Sequence, residues 1–288
     1  MTMKKTYLAP AKINLNLMIT DRLENGFHLL DSLVYFSKTI GDQLSYDDVA
    51  LSPRPHLMIT GPFAKGLDTG NDNLICRAAQ IFQDYYNIEK LPSLSLEKNL
   101  PIASGIGGGS SDAAATIHLL ADYFDQEVTP DLVEQLCQLG ADIPVCLLQR
   151  NCHMSGIGEK LTVIDMPHLS MVLINPLKTV STPAIFKEYR SADTDFSAAQ
   201  EITQFHEVEA LISQLKKTRN DLQPPATSLL AEISQLIDAL KKQPECLLAR
   251  MSGSGATCFG IYTSPDAAEE AAKNLQQQYP NYWIKADK

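Results

Sequence analysis

The chain is 288 residues long, with 44% hydrophobic and 20% charged residues and a formal net charge of −10 at pH 7. This composition is typical of a folded globular protein and excludes wholesale disorder. The acidic excess also argues against binding to duplex nucleic acid or to an anionic membrane through bulk charge.

No targeting or membrane-spanning segment is predicted. The basic residues Lys4 and Lys5 are not followed by the apolar run of a signal peptide. The apolar run 169–174 stops at Asn175-Pro176, far short of the ~20 residues that a membrane span needs. The six cysteines form no CxxC pair, so we expect reduced core thiols without structural zinc. These features together predict a cytoplasmic protein.

The first half of the chain is predicted to begin with a half-buried strand. Apolar and polar residues alternate from residue 12 to residue 19, and the polar face carries Lys12, Asn14 and Asn16. A turn at Asn25-Gly26 follows. The further elements predicted in this half are strands at 31–36 and 94–98 and helices at 73–86, 111–124 and 129–140.

The helix at 129–140 has clear signals at both ends. Thr129 can cap its start, Pro130 suits the first helical position, and Gly140 suits a left-handed residue at its end. Pro144 disfavours a helical conformation at the preceding residue, so Asp142 is expected in a tight, non-helical connection.

The second half of the chain has the pattern of an α+β sandwich. A strand, a loop, a second strand, a helix and a last strand follow one another after residue 246. The elements predicted in this half are strands at 171–174, 246–251, 257–262 and 282–285 and helices at 227–240 and from residue 264 onward.

A glycine-rich segment between a strand and a helix is the strongest local signal for chemistry. We call residues 101–111, Pro-Ile-Ala-Ser-Gly-Ile-Gly-Gly-Gly-Ser-Ser, the first glycine loop. Glycines let backbone N–H groups converge on an anion, and the start of a helix adds unpaired N–H groups and a positive dipole end. The loop is therefore a candidate phosphate site, and the alternative is a flexible glycine-rich connection.

The first glycine loop matches neither of two common nucleotide motifs. No Lys-Ser/Thr pair follows the last glycine, as a Walker A motif requires, and Ser110 stands at the third glycine position of a dinucleotide fingerprint. If the loop binds a triphosphate, the lysine must come from elsewhere. Lys12 is the natural candidate and Asp142 the natural acid, although each taken alone is as well explained as an ordinary exposed or turn residue.

Three motifs in order resemble those of the GHMP kinase superfamily. They are residues 10–15 (Pro-Ala-Lys-Ile-Asn-Leu), the first glycine loop, and residues 251–256 (Met-Ser-Gly-Ser-Gly-Ala), which we call the second glycine loop. Within the superfamily, the chain resembles the kinases that act on a cytidine-diphosphate-linked methylerythritol. The segments that carry this narrower resemblance are 9–15, 25–28, 72–75, 140–145 and 181–186.

The resemblance implies an α+β, two-domain GHMP kinase fold. It comprises an N-terminal domain like domain 2 of ribosomal protein S5, a C-terminal ferredoxin-like α/β sandwich, and a site in the cleft between them. The expected domains are 1–160, which binds ATP, and 161–288, which binds the substrate. The implied reaction transfers the γ-phosphoryl group of ATP to a tertiary 2-hydroxyl in the non-mevalonate route to isoprenoid precursors. The alternatives are a kinase for another alcohol, of the mevalonate or homoserine type, and a non-catalytic nucleotide-binding relative.

The same resemblance assigns roles by position. Lys12 and Asp142 are the expected catalytic residues, with Asp142 as general base. The expected ATP-binding residues are Asn73, Lys98, Pro101, Ile102, Ala103, Ser104, Gly105, Ile106, Gly107, Gly108, Gly109, Ser110 and Ser111. The expected substrate-binding residues are Asn14, Phe27, His28, Thr182 and Phe186, of which the two phenylalanines would sandwich a cytosine ring.

The resemblance also implies cofactors and partners. ATP is the phosphoryl donor, and Mg²⁺ is held by no dedicated protein cage, with Ser110 or Ser111 as its candidate contact. The expected partner is a small molecule with a cytidine diphosphate group. Neither nucleic acid nor membrane is expected as a partner, and the expected assembly is a monomer or weak homodimer.

Overall fold

The computed structural model describes residues 5–192, 195–200 and 204–287. Strands and helices are mixed along this part of the chain. In chain order, the elements are β1 (Thr6–Asn14), β2 (Met18–Arg22), β3 (His28–Ser52), β4 (Leu57–Thr60), α1 (Leu74–Tyr86), β5 (Leu91–Glu97), α2 (Gly108–Tyr123), α3 (Pro130–Cys137), α4 (Ile143–Leu148), β6 (Cys152–Gly156), β7 (Lys160–Val163), β8 (Ser170–Asn175), α5 (Thr182–Ser191), α6 (Val208–Leu215), α7 (Gln223–Leu229), α8 (Glu232–Lys241), β9 (Cys246–Met251), β10 (Cys258–Tyr262), α9 (Pro265–Gln278) and β11 (Trp283–Asp287).

The chain divides into two compact units, each built from several segments. Unit 1 comprises the described residues up to Ala11, Gly41–Ile102 and Gly107–Gln149, and unit 2 comprises Lys12–Ile40, Ala103–Ile106 and the described residues from Arg150 onward. The division passes through β1, β3 and the first glycine loop. The domain boundary predicted between residues 160 and 161 stays a prediction.

Unit 1 anchors the helix that follows the first glycine loop. Its strand β5 pairs antiparallel with the second half of β3, where Gln43 lies opposite Glu97, and parallel with β4, where Leu57 lies opposite Leu94. Helix α2 packs against α1 and α4. Ten of its sixteen residues are buried. The small alanine side chains of α2 therefore suit a helix that other residues surround on most sides. This packing fixes the position of its N-terminus.

Unit 2 contains the predicted α+β sandwich. Its strands β11, β8, β10 and β9 form, in that order, a four-stranded antiparallel sheet. Helices α8 and α9 pack against this sheet. Their apolar faces share one core with it, formed by residues such as Val172, Ile174, Ile233, Leu236 and Leu275. The first half of β3 pairs antiparallel with β2 and β6 in the same unit.

Helix boundaries differ from the prediction in unit 1. Helix α2 begins at Gly108, three residues before the predicted start, because Gly107 takes a left-handed φ of 67° and acts as N-cap. Helix α3 has the predicted cap at Thr129, whose side chain accepts from the Leu132 N–H. It ends at Cys137, and Gln138 after it keeps a φ of −65°, so the predicted helix end at Gly140 was wrong.

The helix predicted at 227–240 is two helices, α7 and α8. Leu230, at the end of α7, has an extended backbone with φ −144° and ψ 94°. Pro224 and Pro225 lie in the first turn of α7, where a missing N–H leaves no hydrogen bond unmade.

Two further features are the state of the cysteine thiols and the length and hydropathy of the helices. All six cysteines lie in the described part of the chain and are free, and Cys76, Cys146, Cys152 and Cys258 are buried, whereas Cys137 is exposed. Across the residues that the structure describes, no helix is both long enough and apolar enough to cross a membrane.

Candidate functional site

The two glycine loops meet within unit 2. The Ser252 hydroxyl donates to the Gly105 carbonyl at 3.1 Å, and the Thr257 N–H donates to the Ser104 carbonyl at 3.1 Å. Gly105 has a φ of 75°, and a Cβ there would lie 2.6 Å from the carbonyl oxygen of Gly255. Both the backbone conformation and the close approach of the loops therefore require glycine at position 105.

Lys12 and Asn14 lie at the end of β1, and their side chains are only 4% and 1% exposed. The Lys12 N–H donates to the Ile106 carbonyl at 2.9 Å, and the Asn14 N–H donates to the Ser252 hydroxyl at 3.1 Å. The Lys12 ammonium donates to Asn14 Oδ1 at 3.2 Å, and Asn14 Nδ2 donates to the Ser32 hydroxyl at 2.8 Å. The polar face of this strand is thus internal, and the predicted half-buried strand was wrong.

Asn220 holds the second glycine loop in place. Its Nδ2 donates to the carbonyls of Met251 and Gly253, each at 2.8 Å, and its Oδ1 accepts from the Leu222 N–H at 2.9 Å. The side chain is buried. Sequence reasoning missed this role, since the only signal was an Asn-Asp-Leu segment before two prolines.

His28 and Phe186, two residues predicted to bind substrate, are in contact. Their rings stack with centroids 5.1 Å apart and an interplanar angle of 26°, and Tyr189 meets His28 edge-on at 5.8 Å. Burial, and then the positive charges of Arg190 and Arg22, lower the pKa of His28. A lowered pKa favours the neutral imidazole, which has one donor and one acceptor nitrogen.

The other two predicted substrate residues of this region differ in exposure and partners. Phe27 is 58% exposed, and its N–H donates to Asn25 Oδ1 at 3.1 Å. The hydroxyls of Thr182 and Ser254 are 2.8 Å apart, which joins the start of α5 to the second glycine loop. Within unit 2, the structure therefore links Thr182 to the loop that also contacts Asn14.

In unit 1, the first glycine loop runs into α2. The Ser111 N–H donates to the Gly107 carbonyl at 2.8 Å. The Ser111 hydroxyl is buried and donates to the Pro10 carbonyl at 2.7 Å. Ser110 is half-buried. Because the Ser111 hydroxyl is held by the main chain, Ser110 is the better candidate of the two for a phosphate or metal contact.

The rest of the first glycine loop is mixed in exposure. Pro101 is buried, Ile102 is 43% exposed, and Gly109 is exposed. Ala103 is a non-glycine residue with a φ of 50°. A left-handed backbone costs a residue with a Cβ about 1–2 kcal/mol, so this position is strained.

Lys98 has two carboxylate partners in unit 1. Its ammonium lies 2.6 Å from Asp42 Oδ2 and also contacts Asp112 Oδ2, and all three side chains are buried. Burial opposes the charged form of Lys98, but the two carboxylates outweigh it and raise the pKa of Lys98. Sequence reasoning missed both acids, since Asp42 lies 56 residues from Lys98 in the chain.

Asn73 caps helix α1. Its Oδ1 accepts from the Ile75 N–H at 2.9 Å, and its Nδ2 donates to the Asp68 carbonyl at 2.7 Å. The side chain thus orders the turn before α1, and its predicted contact with nucleotide stays a prediction.

Asp142 immediately precedes helix α4. Its carbonyl accepts from the Cys146 N–H at 3.1 Å, and its side chain is half-buried. Asp142 lies in the turn before α4, so the expected non-helical connection is confirmed at this residue, but Ile143 after it is already helical. Pro144 lies in the first turn of α4, where its fixed φ and missing N–H are tolerated. The carboxylate therefore sits at a helix N-terminus, where a negative charge is favoured.

Two sequence models of known families match the chain. The model described as the GHMP kinases N terminal domain matches residues 73–154, and the one described as GHMP kinases C terminal matches residues 197–281. The first match includes the first glycine loop and Asp142, and the second includes Asn220 and the second glycine loop.

Curated relatives match over nearly the full length. A 4-diphosphocytidyl-2-C-methyl-D-erythritol kinase of Cereibacter sphaeroides is 45% identical over 279 residues, which cover 96% of each chain. One of Agrobacterium fabrum is 42% identical over 286 residues, covering 96% of this chain and 94% of the relative. The chain belongs to the 4-diphosphocytidyl-2-C-methyl-D-erythritol kinase family. The resemblance of the three motifs to the GHMP kinase superfamily is thereby confirmed. The chain is an enzyme.

Solved structures agree with this family and with its fold. A crystal structure of 4-(cytidine 5'-diphospho)-2C-methyl-D-erythritol kinase is 30% identical, covers 98% of each chain and has a TM-score of 0.77. A crystal structure of L. major mevalonate kinase in complex with R-mevalonate covers 100% of this chain and 96% of that chain. Its TM-score of 0.65 at 14% identity shows the fold alone. The predicted α+β GHMP kinase fold is confirmed, and the mevalonate-type alternative rests on fold likeness only.

Proposed function

We propose that the chain transfers the γ-phosphoryl group of ATP to the 2-hydroxyl of 4-diphosphocytidyl-2-C-methyl-D-erythritol, a step toward isoprenoid precursors. The observation that carries this proposal is the 45% identity, over 96% of the chain, to a relative named for this substrate. The contact between His28 and Phe186 supports it, because these are the side chains assigned to the cytosine ring.

We propose that the first glycine loop binds the phosphates of ATP. The turn from Gly107 to Gly109 leads into the N-terminus of α2, where unpaired N–H groups and the helix dipole favour an anion. Asn73, Lys98 and residues 101–111 form the proposed ATP-binding set. Charge that spreads over the phosphoryl oxygens during transfer is stabilised by such fixed donors.

Asp142 is proposed as the general base and Lys12 as its cationic partner. As the substrate oxygen bonds to the γ-phosphorus, Asp142 accepts the hydroxyl proton, and the bond from that phosphorus to the bridging oxygen breaks to release ADP. The ammonium of Lys12 stabilises the developing negative charge. The buried setting of Lys12 strengthens this effect, because charges interact more strongly away from water.

Mg²⁺ is proposed as the cofactor that accompanies ATP. Mg²⁺ prefers oxygen ligands and is usually held by substrate phosphates with only one or two protein groups. The half-buried Ser110 hydroxyl, in the first turn of α2, fits such a contact. The ion, when bound, would neutralise phosphate charge, and Ser110 would supply one oxygen ligand.

The cytosine is proposed to stack between Phe27 and Phe186, with His28 at its edge. Cytosine has a donor and an acceptor on its pairing edge, and a neutral imidazole complements both. The rings of His28 and Phe186 lie 5.1 Å apart, which places the group proposed for the edge of the cytosine beside one proposed for its face. Asn14 and Thr182 complete the proposed substrate set.

Replacing Phe186 by alanine is expected to raise the KM for the cytidine substrate about 5- to 150-fold, because stacking contributes roughly 1–3 kcal/mol per base. The KM for ATP should change less than twofold. Steady-state kinetics with each substrate varied in turn measures both constants. The matched control is Phe196→Ala, which removes an exposed phenylalanine of the same unit. An unchanged KM in Phe186→Ala would remove this residue from the cytosine site.

The proposed function is tested by ADP release with a panel of acceptors. The panel contains the cytidine-diphosphate-linked methylerythritol, the free methylerythritol, mevalonate and homoserine. We expect turnover only with the first, since the others lack the cytosine. Turnover with mevalonate or homoserine instead would favour the alternative kinases of this fold.

The remaining proposals concern setting and assembly. We propose a cytoplasmic location, a monomer or weak homodimer, neither nucleic acid nor membrane as a partner, and a domain boundary near residue 160. Fractionation of cells tests the location, and gel filtration tests whether the protein is a monomer or a weak homodimer.

A further inference from the structure

A buried arginine joins three segments of unit 2. Arg250 lies near the end of β9 and is only 8% exposed. Its Nη1 donates to the Leu15 carbonyl at 2.8 Å and to the Thr218 hydroxyl at 3.2 Å. Its Nη2 donates to the carbonyls of Leu215 and Thr218 at 2.9 and 2.8 Å. The guanidinium therefore connects β9 to the residue after β1 and to the chain that follows α6.

The positive charge of Arg250 is buried against neutral oxygens. Burial lowers the pKa of Arg250 to about 10, so the guanidinium is still protonated at pH 7. Burying a cation in this way costs free energy. The contact with Leu215, the last residue of α6, offsets part of the cost, because a cation is favoured at the C-terminal end of a helix. Capping of α6 does not explain the contact with Leu15.

The Leu15 carbonyl directly follows Asn14, which is in the proposed substrate-binding set. The Asn14 N–H donates to the Ser252 hydroxyl at 3.1 Å, and its Oδ1 accepts from the Lys12 ammonium at 3.2 Å. Arg250 lies two residues before Ser252 in the chain. Arg250 thus holds both sides of this contact, since its backbone leads into the second glycine loop and its side chain holds the end of β1.

The chain after α6 makes the same connection a second time. The Leu17 N–H donates to the Arg219 carbonyl at 3.1 Å. The Asn220 side chain donates to two carbonyls of the second glycine loop, each at 2.8 Å. Because Arg250 binds both the hydroxyl and the carbonyl of Thr218, it also fixes where this segment begins.

We propose that Arg250 is a positioning residue for phosphoryl transfer, which holds Asn14 in register with the second glycine loop. This inference rests on the proposed function, in which Asn14 binds the substrate. The planar guanidinium donates from two nitrogens in fixed directions, toward β1 and toward α6. A lysine keeps the charge, but its single ammonium on a flexible stem does not reproduce this fork.

Arg250→Lys is expected to lower kcat/KM for the cytidine substrate about 10- to 100-fold, since a misplacement of about 1 Å has an effect of this size. The KM for ATP should stay within about threefold. In an Asn14→Ala background, the same Arg250→Lys change should cost less than about threefold, because residues that act through one another are not additive. Steady-state kinetics of the four proteins of this double-mutant cycle gives both values.

The matched control is Thr218→Val. It removes one acceptor of Arg250 near α6 and leaves the contact with Leu15 in place. Its kcat/KM should stay within about threefold of the wild type, even if the free energy of unfolding falls. A loss as large as that of Arg250→Lys would assign the effect to the end of α6 and would overturn the proposed action on Asn14.

A second measurement does not depend on turnover. Amide hydrogen exchange followed by NMR should be at least tenfold faster at the Asn14 N–H in Arg250→Lys than in the wild type or Thr218→Val. Amides of α9, in the same unit, should exchange as in the wild type. Should Arg250→Lys fold poorly, Arg250→Gln serves as second variant with the same expected results.

The outcomes separate this proposal from the proposed function. Equal losses of kcat/KM from Arg250→Lys in the two backgrounds, or unchanged exchange at Asn14, would overturn the positioning role while the kinase activity stands. Absence of turnover in the wild type, with exchange at Asn14 still faster in the variant, would contradict the proposed function. Arg250 would then have a structural role alone.

Discussion

Asp142→Asn is expected to lower kcat by about 10²- to 10⁴-fold, the range that a positioned general base contributes. A tertiary hydroxyl is a weak nucleophile, and asparagine cannot accept its proton as the new bond to phosphorus forms. Asparagine keeps the shape of the side chain before α4, so the KM values for both substrates should stay within about threefold. Single-turnover phosphoryl transfer, together with steady-state kinetics, measures this effect.

The control for Asp142→Asn is Asp131→Asn, an exposed acid of the same unit at the start of α3. It makes the same change of charge at a helix N-terminus and should retain full turnover. If Asp142→Asn kept kcat within threefold of the wild type, Asp142 would not be the base. A large loss in both variants would instead indicate that charge at helix N-termini in this unit affects folding.

Gly105→Ala is expected to cost about 2–5 kcal/mol of the free energy of unfolding. The left-handed backbone costs alanine about 1–2 kcal/mol, and overlap with packed neighbours adds about 1–3 kcal/mol. The overlap is with backbone atoms of Gly255 at 2.6 Å and Ser252 at 2.8 Å, which cannot rotate away as a flexible side chain can. Urea unfolding measures the loss, and the KM for ATP in the folded fraction should rise at least tenfold.

The matched control for Gly105→Ala is Gly66→Ala. Gly66 has a similar φ of 85°, and an added Cβ there meets nothing within 4 Å. It should therefore show the backbone cost of about 1–2 kcal/mol without the overlap and leave the KM for ATP unchanged. Equal losses for the two variants would mean that the contact between the glycine loops contributes nothing measurable.

Local patterns predicted those elements whose residues determine their own conformation. Thr129 caps α3 because its side-chain oxygen accepts from an N–H three residues later. The strands predicted at 246–251 and 257–262 are found as β9 and β10, which pair antiparallel in unit 2. The glycines of the first glycine loop indicate a phosphate site through their lack of a Cβ, and this site stays a prediction.

Features that depend on residues far apart in the chain could not be predicted from local sequence patterns. The polar face of β1 was expected at the surface, but Asn14 is buried because Ser32 and Ser252 supply hydrogen bonds. Nothing local to Asp42 indicates that it shares an ammonium with Asp112, 70 residues further along the chain. The roles of Lys12 and Asp142 came from family resemblance, since alone each has a commonplace explanation.

Phosphorus NMR of the reaction product tests the central claim most directly. We expect ATP and the cytidine-diphosphate-linked methylerythritol to give ADP and a single new phosphomonoester signal in equal amounts, with the substrate's diphosphate intact. The new signal should show no coupling to a proton on the ester carbon, because the tertiary carbon that bears the 2-hydroxyl carries none. A phosphomonoester coupled to such a proton, or ADP release without a phosphorylated product, would contradict the account.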